Sequence, residues 1–127
     1  YPKRGDYNYI KTKTEEVFFD RKIATKSLVD EIFETVNDRS KLIKTLTIAK
    51  SAIRHNMAKD LPKINTPTLI IWGKQDNVTP PSVAKEFHKL IPNSDLVWIN
   101  KCGHAPMMEN PEKFNTSVLN WLKKKEF

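Results

Sequence analysis

Two short apolar runs, Thr68-Leu69-Ile70-Ile71-Trp72 and Leu96-Val97-Trp98-Ile99, constrain this chain more than any other feature. Both lack the polar alternation of a half-solvated strand, so each predicts a strand covered on both faces. Between them, Thr79-Pro80-Pro81 opens a helix whose apolar face is Val83, Ala84, Phe87, Leu90 and Ile91, stopped at Pro92-Asn93. Proline is tolerated in that first turn because its missing N–H would have no helical partner there. After the second run, Asn110-Pro111-Glu112 caps a last helix with Phe114, Val118, Trp121 and Leu122 inward. Strand, helix, strand, helix is the order of a right-handed βαβ crossover and a parallel sheet, an α/β architecture. Two parallel strands make a very small sheet, however, and such strands normally have both faces and both edges covered. The core is therefore expected to be incomplete, and no internal repeat supplies the flanking strands.

Residues 1–63 follow a different pattern, and the chain divides into that helical segment and the α/β segment 64–127. Leu28, Val29, Ile32, Phe33 and Val36 recur at helical spacing behind a Ser27-x-x-Asp30 start of the capping-box type. A second stripe, Leu42, Leu46, Ala49, Ile53 and Met57, predicts a helix from about Ser40 to Met57, with Lys41, Lys44, Lys50 and Arg54 among the other positions. A membrane-surface or calmodulin-target helix would look similar, but one face packed on a neighbouring domain is the expectation. Thr14 to Phe19 is expected to start another helix, and Tyr1 to Lys13 to be irregular lead-in.

Composition narrows the function classes. A chain of 127 residues holds one average domain, or one domain plus a helical appendage, and excludes two full-size domains. Its net charge of +7 is spread over both halves, and its one basic run, Lys123-Lys124-Lys125, sits at a helix end, so no nucleic-acid partner is expected. No stretch approaches the roughly 18 uninterrupted apolar residues of a membrane span, and the start has no signal-peptide core, so neither membrane nor secretion is expected. The single cysteine, Cys102, cannot form an internal disulfide, which favours a reducing, cytoplasmic setting. Tyr1 in place of Met predicts a processed or truncated product.

In a parallel pair joined by one crossover, both strands end on the same edge, where ligands gather. The loop leaving Trp72 carries Gly73-Lys74-Gln75-Asp76, and the loop leaving Ile99 carries Lys101-Cys102-Gly103-His104. Asp76 and His104 delivered to one rim can form the carboxylate to Nδ1–H bond that fixes an imidazole tautomer and suits it to act as a general base. A post-strand Asp also caps local turns, and a loop His is often merely polar. Gly103 before His104 and Ala105-Pro106 after it imply a deliberately shaped backbone. Cys102 could supply a thiolate, but residues two apart at a strand end do not normally face each other, and a small buried filler is the simpler role. Ser82 reads as a surface residue behind its prolines. No cofactor is implied: there is no dinucleotide or Walker loop, and the three histidines and one cysteine show no metal-ligand spacing.

The stretch from Pro67 through Trp72-Gly73-Lys74-Gln75-Asp76 to Pro81, then Ile91-Pro92-Asn93-Ser94, then Cys102-Gly103-His104-Ala105-Pro106-Met107-Met108-Glu109-Asn110-Pro111 to Phe114, resembles the C-terminal end of α/β-hydrolases. The likeness covers roughly residues 62–124 and implies a nucleophile–His–Asp triad with Asp76 as the acid and His104 as the base. The helical half, through Val17-Phe18-Phe19-Asp20, Thr25 and Leu28-Val29-Asp30-Glu31, resembles the cap of the meta-cleavage-product carbon–carbon bond hydrolases and related esterases. The usual nucleophile elbow, Gly-x-Ser-x-Gly, is impossible here, because the only glycines are Gly5, Gly73 and Gly103. The resemblance thus implies a hydrolase of a small ester or carbon–carbon bond whose nucleophile is missing from this chain, leaving it inactive alone. Exposed sheet edges then predict a homo-oligomer or a complementing fragment as partner, with a small-molecule substrate in the complete protein. The alternative is a non-catalytic interaction module derived from a hydrolase. Met107, Met108 and the apolar stripe of the helical half are candidates for lining an apolar pocket, or for plain packing.

Overall fold

A computed structural model of the chain describes residues 3–55 and 57–125. Helices α1 (Tyr7–Glu15), α2 (Lys26–Asn37) and α3 (Arg39–Arg54) come first, then strand β1 (Thr68–Gly73), α4 (Pro81–Leu90), β2 (Ser94–Ile99), a single turn α5 (Pro106–Glu109) and α6 (Pro111–Lys125). The strands pair in parallel from Thr68 opposite Ser94 to Gly73 opposite Ile99. This is the expected α/β alternation, in a sheet of two strands among the described residues.

The helical part corrects the sequence expectation in several places. The segment expected to be irregular up to Lys13 contains α1; its first two residues, Tyr1 and Pro2, lie outside the described residues. Asp6 caps this helix by accepting from the Tyr9 amide, and Ile10 and Thr14 are its buried positions. Thr14 therefore closes a helix instead of opening one, and its hydroxyl donates to the Ile10 carbonyl. The cap of α2 is Thr25, accepting from the Leu28 amide, not Ser27. Asp30 does not return to a cap but accepts from the Tyr7 hydroxyl at 2.6 Å and from Lys26 at 2.6 Å, tying α2 to α1. Those two donors hold the Asp30 carboxyl below its ordinary range, Lys26 contributing most, while the Tyr7 hydroxyl is pushed up. Ile10 and Val29 are each 1% exposed where these helices pack.

Helix α3 ends at Arg54, and Met57 belongs to a separate 3-10 turn, Met57–Lys59. Its expected packing face is largely bare among the described residues: α3 touches α2 and Leu42 is half-buried, but Leu46, Ala49, Ile53 and Met57 are exposed. None of its residues is buried, and Ile53 is 85% exposed.

In the second half, α4 contacts both strands and closes a core of Leu61, Ile70 and Ile91, with Ile64, Trp72 and Phe87 packed around it. Burying each such aliphatic side chain is worth roughly 1.5–3 kcal/mol. The strands are less covered than predicted: Ile70 and Gly73 are the buried positions of β1, and Ile99 that of β2, the others being half-buried. Helix α6 lies on the same sheet with Phe114, Val118 and Trp121 half-buried, whereas Leu122, expected inward, is exposed. The Trp121 ring N–H donates to Asp95 on β2 at 2.8 Å, fixing the helix to the strand. Among the described residues, no helix is long and apolar enough to cross a membrane.

Candidate active site

Both strands end at the same rim, and the loops that leave them are knitted together by backbone bonds. The Lys74 amide donates to the Ile99 carbonyl, and the Gln75 amide to the Cys102 carbonyl, each at 2.9 Å. The Gln75 side-chain oxygen accepts from the Cys102 amide at 3.2 Å. Gly73 is required by this approach, since a Cβ there would stand 2.0 Å from the Gly103 carbonyl oxygen and 2.4 Å from that of Cys102. On the opposite loop the chain turns at Lys101, whose φ of 52° is in the left-handed region.

Asp76 and His104, the two residues singled out in the sequence, meet at this rim. The Asp76 Oδ2 lies 2.9 Å from the His104 Nδ1. Its Oδ1 accepts from the amides of Val78 and Thr79 at 2.8 and 2.9 Å. Every direction of the carboxylate is thereby fixed, and Asp76 is only 5% exposed. A carboxylate that already accepts two amides offers its remaining oxygen as an acceptor, so Nδ1 of His104 carries the proton and the other ring nitrogen is left with its lone pair. The His104 side chain is 42% exposed and open to a reacting molecule. Beside the pair lies a small cavity of about 130 Å³ lined by Ile71, Trp72, Met107 and Phe114. A larger cleft of about 610 Å³ runs along Asn77 and Val78 toward Phe18, Phe19 and Arg21. Met107 lines the smaller cavity, as one of its two anticipated roles; Met108 does not.

The rest of the site was not visible in the sequence. The His104 amide donates to the Val17 carbonyl at 2.9 Å, which brings the segment after α1 against the histidine loop. Glu109, at the end of α5, accepts from the Gly103 amide through one oxygen and from the Phe19 amide through the other, both at 2.7 Å. Both residues lie in stretches that carry the family resemblance, but no local pattern places Val17, far away in the chain, or the Glu109 carboxylate against the histidine loop.

Cys102 has the role of a packed filler. It is fully buried, and burial foremost, with the Glu109 carboxylate beside it, pushes its thiol from the ordinary 9.0 up to about 12. Because the folded state holds this proton more tightly than the unfolded chain, the associated stability is intact below pH 9.0 and drains away as pH rises toward about 12. Iodoacetamide at neutral pH is accordingly expected to alkylate native Cys102 at least tenfold more slowly than the urea-unfolded chain, as read by intact mass. Equal rates would contradict the burial.

Residues 19–111 match the family model described as alpha/beta hydrolase fold. The chain belongs to that family. Among α/β-hydrolases of known name, it is 33% identical over 100 residues to a 2-hydroxy-6-oxononadienedioate/2-hydroxy-6-oxononatrienedioate hydrolase of Pseudomonas, covering 77% of this chain and 35% of that protein. It is 39% identical over 77 residues to the monoacylglycerol lipase ABHD6 of Rattus norvegicus, covering 61% of this chain and 23% of the lipase. A solved α/β-hydrolase from the sediment metagenome of the Mar Chica lagoon, Morocco, superposes with a TM-score of 0.74 at 67% identity, over 80% of this chain and 47% of that one. The chain thus spans less than half the length of the α/β-hydrolases it matches.

Proposed function

We propose that this chain is the cap, residues 1–63, and the C-terminal part of the core, residues 64–127, of an α/β-hydrolase that works through a nucleophile–His–Asp triad. Asp76 orients His104 and stabilises its imidazolium; His104 removes the proton of the nucleophile and later that of the hydrolytic water. The observation that carries this reading is the 2.9 Å contact between the Asp76 Oδ2 and the His104 Nδ1, at the rim where two parallel strands end. The nucleophile and the oxyanion donors come from core strands outside this chain, since no two of its three glycines flank an elbow. The resemblance of the helical half to meta-cleavage-product hydrolases and esterases implies a carbon–carbon bond or a small ester as the target, and the named relatives include a 2-hydroxy-6-oxononadienedioate hydrolase and a monoacylglycerol lipase. The small cavity lined by Asp76 and His104 is where the reacting bond of such a molecule would sit, with the larger cleft along Asn77 and Val78 available to the rest of it.

The chain alone is expected to release no p-nitrophenol from p-nitrophenyl acetate above the His104→Ala background, because loss of a triad nucleophile leaves only binding and electrostatic residue. Co-expression with a core fragment carrying a Gly-x-Ser-x-Gly elbow is expected to restore release. Turnover by the chain alone that depends on His104 would defeat the proposal, and so would an inert reconstituted pair. The bare face of α3 favours a second reading, a non-catalytic interaction module derived from a hydrolase; failed reconstitution together with a stable folded chain would support it.

A further inference from the structure

We propose that Glu109 is a positioning residue for His104, and that it couples the histidine loop to the segment entering the cap. The inference rests on the reading of His104 as the general base, but the geometry behind it does not. The Gly103 and Phe19 amides lie on two passing segments, both within 2.7 Å of the one carboxylate that separates them. Two N–H donors converging from opposite sides need an acceptor between them, and a carboxylate, with two oxygens and no proton, satisfies both in charge-assisted bonds. The approach is tight: a Cβ on Gly103 would stand 2.6 Å from the Val17 carbonyl oxygen, 2.9 Å from the Phe19 nitrogen and 3.1 Å from the Glu109 carboxylate. His104 follows directly, its own amide donating to Val17.

The imidazole is consequently held twice. Asp76 holds the ring at its Nδ1, and Glu109 with Val17 holds the backbone that carries it. Among the described residues, Glu109 has no cationic partner; its carboxylate is met by the Gly103 amide of the histidine loop, the Phe19 amide at the cap entrance and, more weakly at 3.7 Å, the Cys102 thiol. Any displacement of the Val17–Phe19 segment is passed to His104 through these bonds, which gives the cap a mechanical link to the base.

The test uses the whole isotope-labelled chain and no activity measurement, so its failure leaves the hydrolase reading standing, and failed hydrolysis would remove the catalytic meaning of the link but not the positioning of the His104 ring that the test reads. In Glu109→Ala, hydrogen-exchange protection of the Gly103 and Phe19 amides is expected to fall about tenfold or more, as for loss of a charge-assisted bond. The hydrogen-bonded Nδ1–H proton resonance of His104 is expected to broaden or vanish, while protection along β1 and β2 is unchanged. Glu109→Gln keeps one acceptor oxygen, so one amide keeps its protection and the His104 resonance weakens without vanishing; this variant carries the same comparison if the alanine variant does not fold. A His104 resonance identical to that of the unaltered chain in both variants, or in Glu109→Gln alone if only that variant folds, would overturn the positioning role even if amide protection falls.

Discussion

Alanine at position 73 is expected to cost about 3 kcal/mol or more and to dismantle the rim on which His104 sits. The added methyl group would stand 2.0 Å from the Gly103 carbonyl oxygen and 2.8 Å from the Cys102 carbonyl carbon. These are backbone atoms, so no side-chain rotation relieves the overlap. The two loops must separate, and the Lys74-to-Ile99 and Gln75-to-Cys102 bonds go with them. Against total stabilities of about 5–15 kcal/mol, such a loss takes a large share of what holds a small domain together. Urea denaturation monitored by circular dichroism checks it. Gly5→Ala is the control: nothing lies within 4 Å of a Cβ at that position, and its unfolding free energy is expected to stay within about 0.5 kcal/mol of the original. Equal midpoints for the two variants would show that the rim yields more readily than its backbone bonds imply.

The second large effect concerns the carboxylate. In a hydrolase completed by the rest of its core, Asp76→Asn is expected to lower kcat roughly 10⁴-fold with little change in KM. The asparagine oxygen can still accept from the Val78 and Thr79 amides, so the loop keeps its shape. The amide nitrogen would then face the His104 Nδ1 and donate to it, which forces the ring proton onto the other nitrogen and removes the lone pair that the nucleophile needs. A thermal transition close to that of the parent, combined with the collapse in kcat, separates lost chemistry from lost folding. A kcat within tenfold of the parent would mean that Asp76 does no more than cap its own loop.

Much of the strand-bearing half was legible from local chemistry. The continuous apolar runs at Thr68–Trp72 and Leu96–Ile99 form the two strands, though less covered than expected, and the proline pair before Val83 and the Asn110 cap set helix starts that the fold reproduces. Asp76 and His104 were legible as neighbours because a parallel pair sends both of its exits to one edge. The helical half was less so. Helix α1 has one strongly apolar buried position, Ile10, and owes its place to Asp6 and to packing on α2, so periodicity alone passed it over. Thr25 rather than Ser27 caps α2, and Asp30, read as part of a local capping box, is instead engaged by Tyr7, 23 residues away. Glu109 reaches Phe19 across 90 residues, and no window of sequence contains both ends of that bond. The stripe predicted on α3 does fall on a helix, but the packing expected of it is not found: its residues other than half-buried Leu42 are exposed.

Tryptophan is distributed unevenly in this fold. Trp72, Trp98 and Trp121 all lie in the strand-bearing half, the first donating to the Thr79 carbonyl beside the site and the last anchored to Asp95, whereas residues 1–63 contain tyrosine and no tryptophan. Indole emission excited selectively at long wavelength therefore reports on one half alone, while peptide-bond ellipticity reports on both. The gap between two melting curves recorded on a single sample is then a direct measure of how far residues 1–63 hold together without their neighbour.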